Sequence, residues 1–408
     1  MTSRRLKSTR HVIVGVAAAF VLSSCTGGPY VPPEDETTRA NTLLQGLRGA
    51  YVDPDNPALT WAAGHSRDPQ ADRLEGALSD QPVGIRINKK PDLAESQVSR
   101  IAQAAAEERR IPFFVAEKLA SSNCETQALK PPFESEYLSW ITAVQAGLGD
   151  KPAVIVLEPN GLTGWGCLAA DQQDSRLTLI RKTIRSLNKS PHLTILIGIA
   201  SGEQEETLSL VPQLKDLGLE HVNGIALNVS KYVTTAKAKR VALSLRARLG
   251  LVNHGFQMVV DTGRSGAEIS KGPCNPGDAR VGQREFLTGD ASRIKTIWLT
   301  VPGVSDGPCG DAPRTTRGEF DAGLAMQLLG DAETSMKTPQ PAELRSEFEL
   351  ELSGNQTVKS VAISVPDPND STTWMLLVTV AQLPKSHELI GTFKGIVVQY
   401  VVGSGFRG

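Results

Sequence analysis

Residues 154–157 read Val-Ile-Val-Leu and run directly into Glu158-Pro159-Asn160-Gly161. Four apolar residues stopped by a carboxylate, a proline and an amide describe a short buried strand ended by a turn. The pattern recurs along the chain. Apolar runs at Val83–Ile87, Pro112–Ala116, Leu193–Ile199, Val222–Leu227, Phe256–Val260 and Ile294–Val301 alternate with helical patterns. The helices are expected over Ala94–Glu108, Tyr137–Leu148, 171–187, 204–217, 234–249 and 319–329. Ala50–Val52 predicts one more short strand, ended by Asp-Pro-Asp-Asn-Pro. Seven or eight βα units of this kind predict an α/β fold with a β/α barrel, open or closed. In such folds chemistry sits at the C-terminal ends of the strands, so Glu158 and Asn160 mark a candidate site.

The two ends of the chain follow other rules. Arg4, Arg5, Lys7 and Arg10 precede an apolar stretch, Val12–Leu22, and then Leu22-Ser-Ser-Cys25. A basic region, a short apolar region and small residues make a secretory signal over residues 1–24. The Leu-Ser-Ser-Cys ending resembles a bacterial lipobox. That resemblance implies cleavage before Cys25, lipid on its thiol, and a protein anchored at the extracytoplasmic face of the cell membrane. Residues 25–44, with Pro29, Pro32 and Pro33, read as the lipidated cysteine and a flexible tether. After a polar linker at 331–342, β-branched runs at 359–365, 373–381 and 391–402 are separated by turn residues. With the alternating Glu347–Leu352, they predict a small antiparallel β domain of about four strands over 343–408.

With Cys25 set aside, four of the five cysteines remain: Cys124, Cys167, Cys274 and Cys309. In an exported chain this predicts two disulfides, with three possible connectivities. No Cys-x-x-Cys occurs and no histidine stands in zinc-like spacing to a cysteine, so no metal site is expected. A formal net charge of −1 gives no reason to expect nucleic acid as a partner. Nothing in the sequence calls for a cofactor.

Six stretches, taken in order, resemble the family 6 glycoside hydrolases, the inverting cellulases. They are Tyr51-Val-Asp-Pro-Asp-Asn-Pro-Ala, the segment Tyr137–Leu162, Asn223-Gly-Ile-Ala-Leu-Asn228-Val-Ser-Lys-Tyr232, Val260-Asp261-Thr-Gly-Arg264-Ser-Gly266, Pro273-Cys-Asn-Pro276 and Trp298-Leu-Thr-Val-Pro-Gly-Val-Ser-Asp306-Gly307. The resemblance spans residues 45–330. It implies a distorted (β/α) barrel with a cleft or tunnel for a β-1,4-glucan chain. It also implies the disulfide pairs Cys124–Cys167 and Cys274–Cys309, a base position at Asp306, and Asn228 and Arg264 in the sugar cleft.

The same comparison implies losses at the chemical positions. Inverting hydrolysis needs a protonated carboxyl to donate to the leaving oxygen and a carboxylate to activate water. The family acid is the aspartate of Glu-Pro-Asp, and this chain has Asn160 there. A carboxamide has no proton that titrates near neutrality, so it cannot be a general acid. A second family aspartate, in Arg-Asp-Cys, is Asn123 here, and the arginine before it is Ser122. Glu117 stands for a tyrosine, Thr300 for a lysine and Val304 for a glutamate. A further aspartate and an aromatic fall near Gly198 and Gln204.

These losses predict a family 6-like protein without normal glucanase activity, binding a polysaccharide or another envelope partner. Two alternatives stand beside it. One is an active hydrolase in which Glu117, Glu125 or Glu158 replaces the acid. The other is a protein-interaction scaffold that recognises its partner through the C-terminal β domain. Arg264 and Asp306 are expected to pair, either to hold two loops or to meet substrate. Glu158 and Asp261 are expected to accept nearby backbone N–H groups. Aromatics are only 5% of the chain, which leaves few stacking surfaces, and Trp165 is the one expected in a cleft. Asn160-Gly161 is also a dipeptide prone to deamidation, which would restore an aspartate.

Overall fold

The computed structural model describes residues 49–119, 133–251, 256–282, 294–330 and most strand positions between 357 and 403, with a few residues of the preceding segment. The signal, the lipobox cysteine Cys25, the tether, Asn123, Cys124, Glu125 and the 331–342 linker therefore lie outside the described residues.

Two helices that the apolar pattern did not predict open the fold. Helix α1 (Pro57–Gly64) is capped by Asn56, whose side chain accepts from Ala58 N and Leu59 N. Helix α2 (Pro69–Leu78) is capped by Asp68 in the same way, through Gln70 N. Each begins with proline at the first position, where a missing N–H costs nothing.

The barrel strands follow in chain order: β1 (Ile85–Ile87), β2 (Phe113–Ala116), β3 (Ala153–Leu157), β4 (Leu193–Gly198), β5 (Gly224–Leu227), β6 (Gln257–Asp261) and β7 (Ile294–Ile297). They form one seven-stranded sheet in the order β1 to β7. Every neighbouring pair is parallel. The crossovers are α3 (Pro91–Glu107), α4 (Phe133–Leu148), α5 (Ala170–Leu187), a pair α6 (Gln204–Ser209) and α7 (Val211–Asp216), and α8 (Thr235–Arg248). The predicted helix over 204–217 is broken in two because Pro212 cannot donate into a continuous ladder. Helix α9 (Ala322–Leu329) closes the series. Ala50 makes only an isolated bridge to Ile111, so the expected strand at 50–52 is a single pairing. The sheet edges meet at one bridge, Val83 to Trp298, where Gly84 N donates to Trp298 O at 2.7 Å. One bridge in place of a full ladder makes the barrel a distorted one.

Strand alternation sorts the core into two layers. Ile155, Leu157, Ile195, Ile197, Ile225 and Leu227 pack outward against the helices. Val154, Val156, Leu196, Ala226, Val259 and Ile297 fill the barrel interior. In β1, Ile85 and Ile87 belong to the outer layer, so Arg86 between them faces inward.

The second sheet has four strands: β8 (Val358–Ser364), β9 (Met375–Val380), β10 (Thr392–Phe393) and β11 (Ile396–Val402), in the order β10-β11-β9-β8. It is mixed rather than antiparallel as predicted. β8 pairs antiparallel with β9 and β10 antiparallel with β11, but β11 runs parallel to β9. Residues 381–395 between β9 and β11 are long enough to carry the chain back to the start of β9, which a parallel pair requires. The expected strand Glu347–Leu352 is also corrected. Phe348 and Glu349 are helical, and Leu352 N donates to Phe348 O at 3.0 Å. The alternation misled because Phe348 and Leu352, four apart, share a helix face packed on Val361 and Val378.

Candidate active site

The C-terminal strand ends and the loops that follow them carry Glu158, Asn160, Asp261, Arg264 and Asp306. At the end of β3 the chain turns at Glu158, whose φ of +46° lies in the left-handed region. The turn is closed by Gly161 N donating to Glu158 O at 2.7 Å. It is pinned from β4 by Ala200 N donating to Pro159 O, also at 2.7 Å. Gly198 is required for this approach, because a Cβ there would lie 2.7 Å from Pro159 Cα. The Glu158 carboxylate is buried and accepts from Lys118 N at 2.9 Å and Leu119 N at 2.8 Å. Burial pushes its carboxyl up to about 7, against the two backbone donors and Arg176. Glu158 is thus committed to holding the end of β2.

Asn160 is part-buried, and its amide donates to Glu117. Glu117 in turn pairs with Arg86, whose other terminal nitrogen donates to Ser230 Oγ at 2.9 Å. From Ser230 the chain of polar contacts continues to Thr300 Oγ1 at 2.8 Å and on to Asp261 at 2.7 Å. Asp261 also accepts from Ser230 N, Gly263 N and Leu299 N at 2.9–3.0 Å. Four donors on one buried carboxylate tie the ends of β5, β6 and β7 together.

Asp306 lies across the mouth and is fixed from three sides. Arg264 Nη1 donates to Oδ1 at 2.6 Å. The Tyr232 hydroxyl donates to Oδ2 at 2.5 Å, and Asn275 N to the same oxygen at 3.3 Å. Asn275 accepts in return from Asp306 N at 2.9 Å. Cys274 and Cys309 form a disulfide with Cα atoms 6.0 Å apart, joining the segments that carry Asn275 and Asp306. Burial works against the charged carboxyl. Arg264 and the Tyr232 hydroxyl outweigh it and hold Asp306 below the usual carboxylate range. Arg264 is itself buried, donating further to the Tyr232 oxygen at 2.9 Å and to Val304 O.

Asn228 and Trp165, expected to meet substrate, are engaged elsewhere. Asn228 is fully buried, and its amide donates to Val233 O at 2.9 Å and Asp261 O at 3.1 Å. Trp165 packs against the outer core, with its indole nitrogen 3.0 Å from the Gln213 carboxamide. The side chain of Cys167 and all of Asn123 and Cys124 lie outside what is described. Arg86 was not expected. The available signal was a lone charge between two isoleucines in β1, which period-2 alternation aims into the barrel. Beyond Tyr232 the mouth opens into a cavity of about 270 Å³ bordered by Ser201, Glu206, Lys231, Lys237 and Glu268.

Comparison with known proteins accounts for this layout. The family profile described as Glycosyl hydrolases family 6 matches residues 48–327. The chain belongs to glycosyl hydrolase family 6. It is 27% identical over 337 residues to Endoglucanase 1 of Streptomyces halstedii, covering 80% of this chain and 99% of that protein. It is 28% identical over 291 residues to Endoglucanase A of Cellulomonas fimi, covering 71% and 62%. Among solved structures, the endoglucanase Cel6 of Mycobacterium tuberculosis, determined with methyl-cellobiosyl-4-deoxy-4-thio-β-D-cellobioside, superposes with a TM-score of 0.60. The two chains are 25% identical, with 71% of this chain and 99% of that one covered. The matched span ends before β8, so the small mixed sheet is an addition to the family domain.

Proposed function

We propose that this protein is an exported, lipid-anchored member of family 6 that binds a glycan chain at the cell envelope without hydrolysing it at the family's usual rate. One observation carries the reading: a carboxamide, Asn160, stands where the resemblance puts the acid, and its N–H donates to an ion-paired carboxylate. No proton there titrates near neutrality. On the other side, Asp306 accepts three hydrogen bonds and is held below the usual carboxylate range, which makes it a weak base toward water. Losing a general acid alone costs on the order of 10²–10⁴-fold in rate. The export and anchoring half of the proposal rests on the basic, apolar and Leu-Ser-Ser-Cys25 pattern of the first residues.

A second reading is favoured by the contact between Glu117 and Asn160. It puts a carboxyl beside the acid position, and Glu117 would then be a substitute acid. Arg86 argues against it, because ion pairing favours the charged form, which has no proton to give. Turnover of soluble β-1,4-glucan by wild type and by Glu117→Gln separates the two. Glycan binding without turnover supports the proposal. Turnover that Glu117→Gln abolishes establishes the alternative. Membrane fractionation of wild type beside Cys25→Ser tests the anchor, with the variant expected in the soluble fraction.

A further inference from the structure

Arg86 joins parts of the barrel that the sheet keeps apart. Its strand, β1, is separated from β5 by β2, β3 and β4 on one side and by β6 and β7 on the other. Yet Arg86 Nη2 donates at 2.9 Å to the hydroxyl of Ser230, which lies in the loop after β5. The side chain therefore crosses the opening instead of following its rim. It is 31% exposed, so it lies in the opening and not in the packed interior.

Both ends of this crossing are fixed. On the near side Arg86 Nη1 pairs with Glu117, the first residue after β2, and Glu117 accepts from Asn160. A guanidinium is a planar fork, so its two terminal nitrogens hold Glu117 and Ser230 at once, which the single nitrogen of a lysine does not match. On the far side the hydroxyl protons have one order. Asp261 already accepts from three backbone N–H groups, and Thr300 Oγ1 donates to it at 2.7 Å. With that proton spent, Ser230 Oγ donates to Thr300 Oγ1 at 2.8 Å and keeps a lone pair for Arg86. Ser230 stands at a φ of +60°, in the left-handed region, and its own N–H is held by Asp261 at 2.9 Å. The contacts run in one direction, from Arg86 through Ser230 and Thr300 to Asp261, and hydrogen bonds in such a row strengthen one another. The cavity of about 270 Å³ begins beside the far end, where Lys231 and Tyr232 follow Ser230 in its lining.

We infer that Arg86 is a bar across the opening and that it limits the length of glycan the protein holds. This rests on the glycan-binding reading and names its ligand class. A short oligosaccharide or a chain end occupies the cavity with the bar in place. A longer chain lies across the opening only by displacing Arg86 from Ser230, and its affinity is reduced by the contact it must break.

The test is calorimetric binding of cellobiose and cellohexaose to the full chain as wild type, Arg86→Ala and Ser230→Ala. Arg86→Ala is expected to bind cellohexaose about tenfold to a hundredfold more tightly than wild type, the value of one charge-assisted hydrogen bond. Ser230→Ala removes only the far anchor and keeps the charge and the Glu117 pair, so a smaller gain in the same direction is expected. Cellobiose is expected to bind all three proteins alike. A residue that merely supports the fold lowers affinity when it is removed, whereas removing a bar raises it. Cellohexaose bound no more tightly by either variant, or more weakly by Arg86→Ala, overturns the inference and leaves glycan binding standing. An equal gain for cellobiose overturns the length limit. Failure of all three proteins to bind either sugar strikes the glycan-binding reading, and the bar with it.

Discussion

Replacing Arg264 by methionine tests the hub of the mouth. The guanidinium is 2% exposed and holds Asp306, the Tyr232 oxygen and Val304 O at once. Methionine fills the volume but leaves the Asp306 carboxylate with Tyr232 and Asn275 as its remaining donors. Breaking a buried pair from one side costs about 3–5 kcal/mol, and the low end applies because Asp306 is 20% exposed. The expected loss is about 3 kcal/mol, roughly 6–12 °C in the midpoint of a domain this large. The loss depends on pH with a fixed sign. Asp306 has a folded value depressed below 3.8, so its stabilisation is complete above 3.8 and fades as pH falls through the folded value. Urea unfolding of wild type and variant at pH 7 and at pH 3 reads both quantities. A difference under about 1 kcal/mol at pH 7, or one of equal size at both pH values, refutes the assignment of this pair as the lock on the two loops.

The remaining predictions concern the turn after β3. Glu158 has a folded value raised from 4.5 to about 7, so its ionisation destabilises the native state as pH rises between those values. Glu158→Gln is expected to remove about 3 kcal/mol of that pH dependence, seen as a flatter stability profile from pH 5 to 8 in urea melts. Gly198→Ala puts a Cβ 2.7 Å from Pro159 Cα and is expected to cost about 1–3 kcal/mol, measured by thermal unfolding. Asn160 is expected to stay an amide on storage, because Gly161 N, the nucleophile of succinimide closure, is donating to Glu158 O. Peptide mass spectrometry after incubation checks this, and a mass gain of one unit at that peptide contradicts it.

The barrel was legible because each strand is a short apolar run ended by turn residues, and both helix and strand periods survive in the sequence. Helices α1 and α2 were missed although Asn56-Pro57 and Asp68-Pro69 are cap-and-proline signals; the apolar spacing between them is weak. Parallel pairing of β9 with β11 was invisible, because strand propensity does not encode partner direction. In the mouth, the Arg264–Asp306 pair and the backbone roles of Glu158 and Asp261 followed from residue chemistry. The burial of Asn228 did not, since a left-handed asparagine that caps a loop looks in sequence like one that faces a ligand. Arg86 and Ser230 stand 144 residues apart in the chain, and only the folded sheet brings them into hydrogen-bond contact. Glu117 was named in sequence as a possible acid, but its engagement by Arg86 could not be read there.

The central claim is that the family's acid is absent and not replaced. Its most direct measurement is release of reducing ends from a soluble β-1,4-glucan by the Cys25-truncated protein, beside Asn160→Asp and Asn123→Asp/Asn160→Asp. The account predicts no turnover by wild type, and measurable turnover once the carboxyl is restored at 160, more so with both aspartates. Wild-type turnover that persists in Asp306→Ala and is lost in Glu117→Gln contradicts it, and moves the chemistry to a carboxylate assigned here to the Arg86 ion pair.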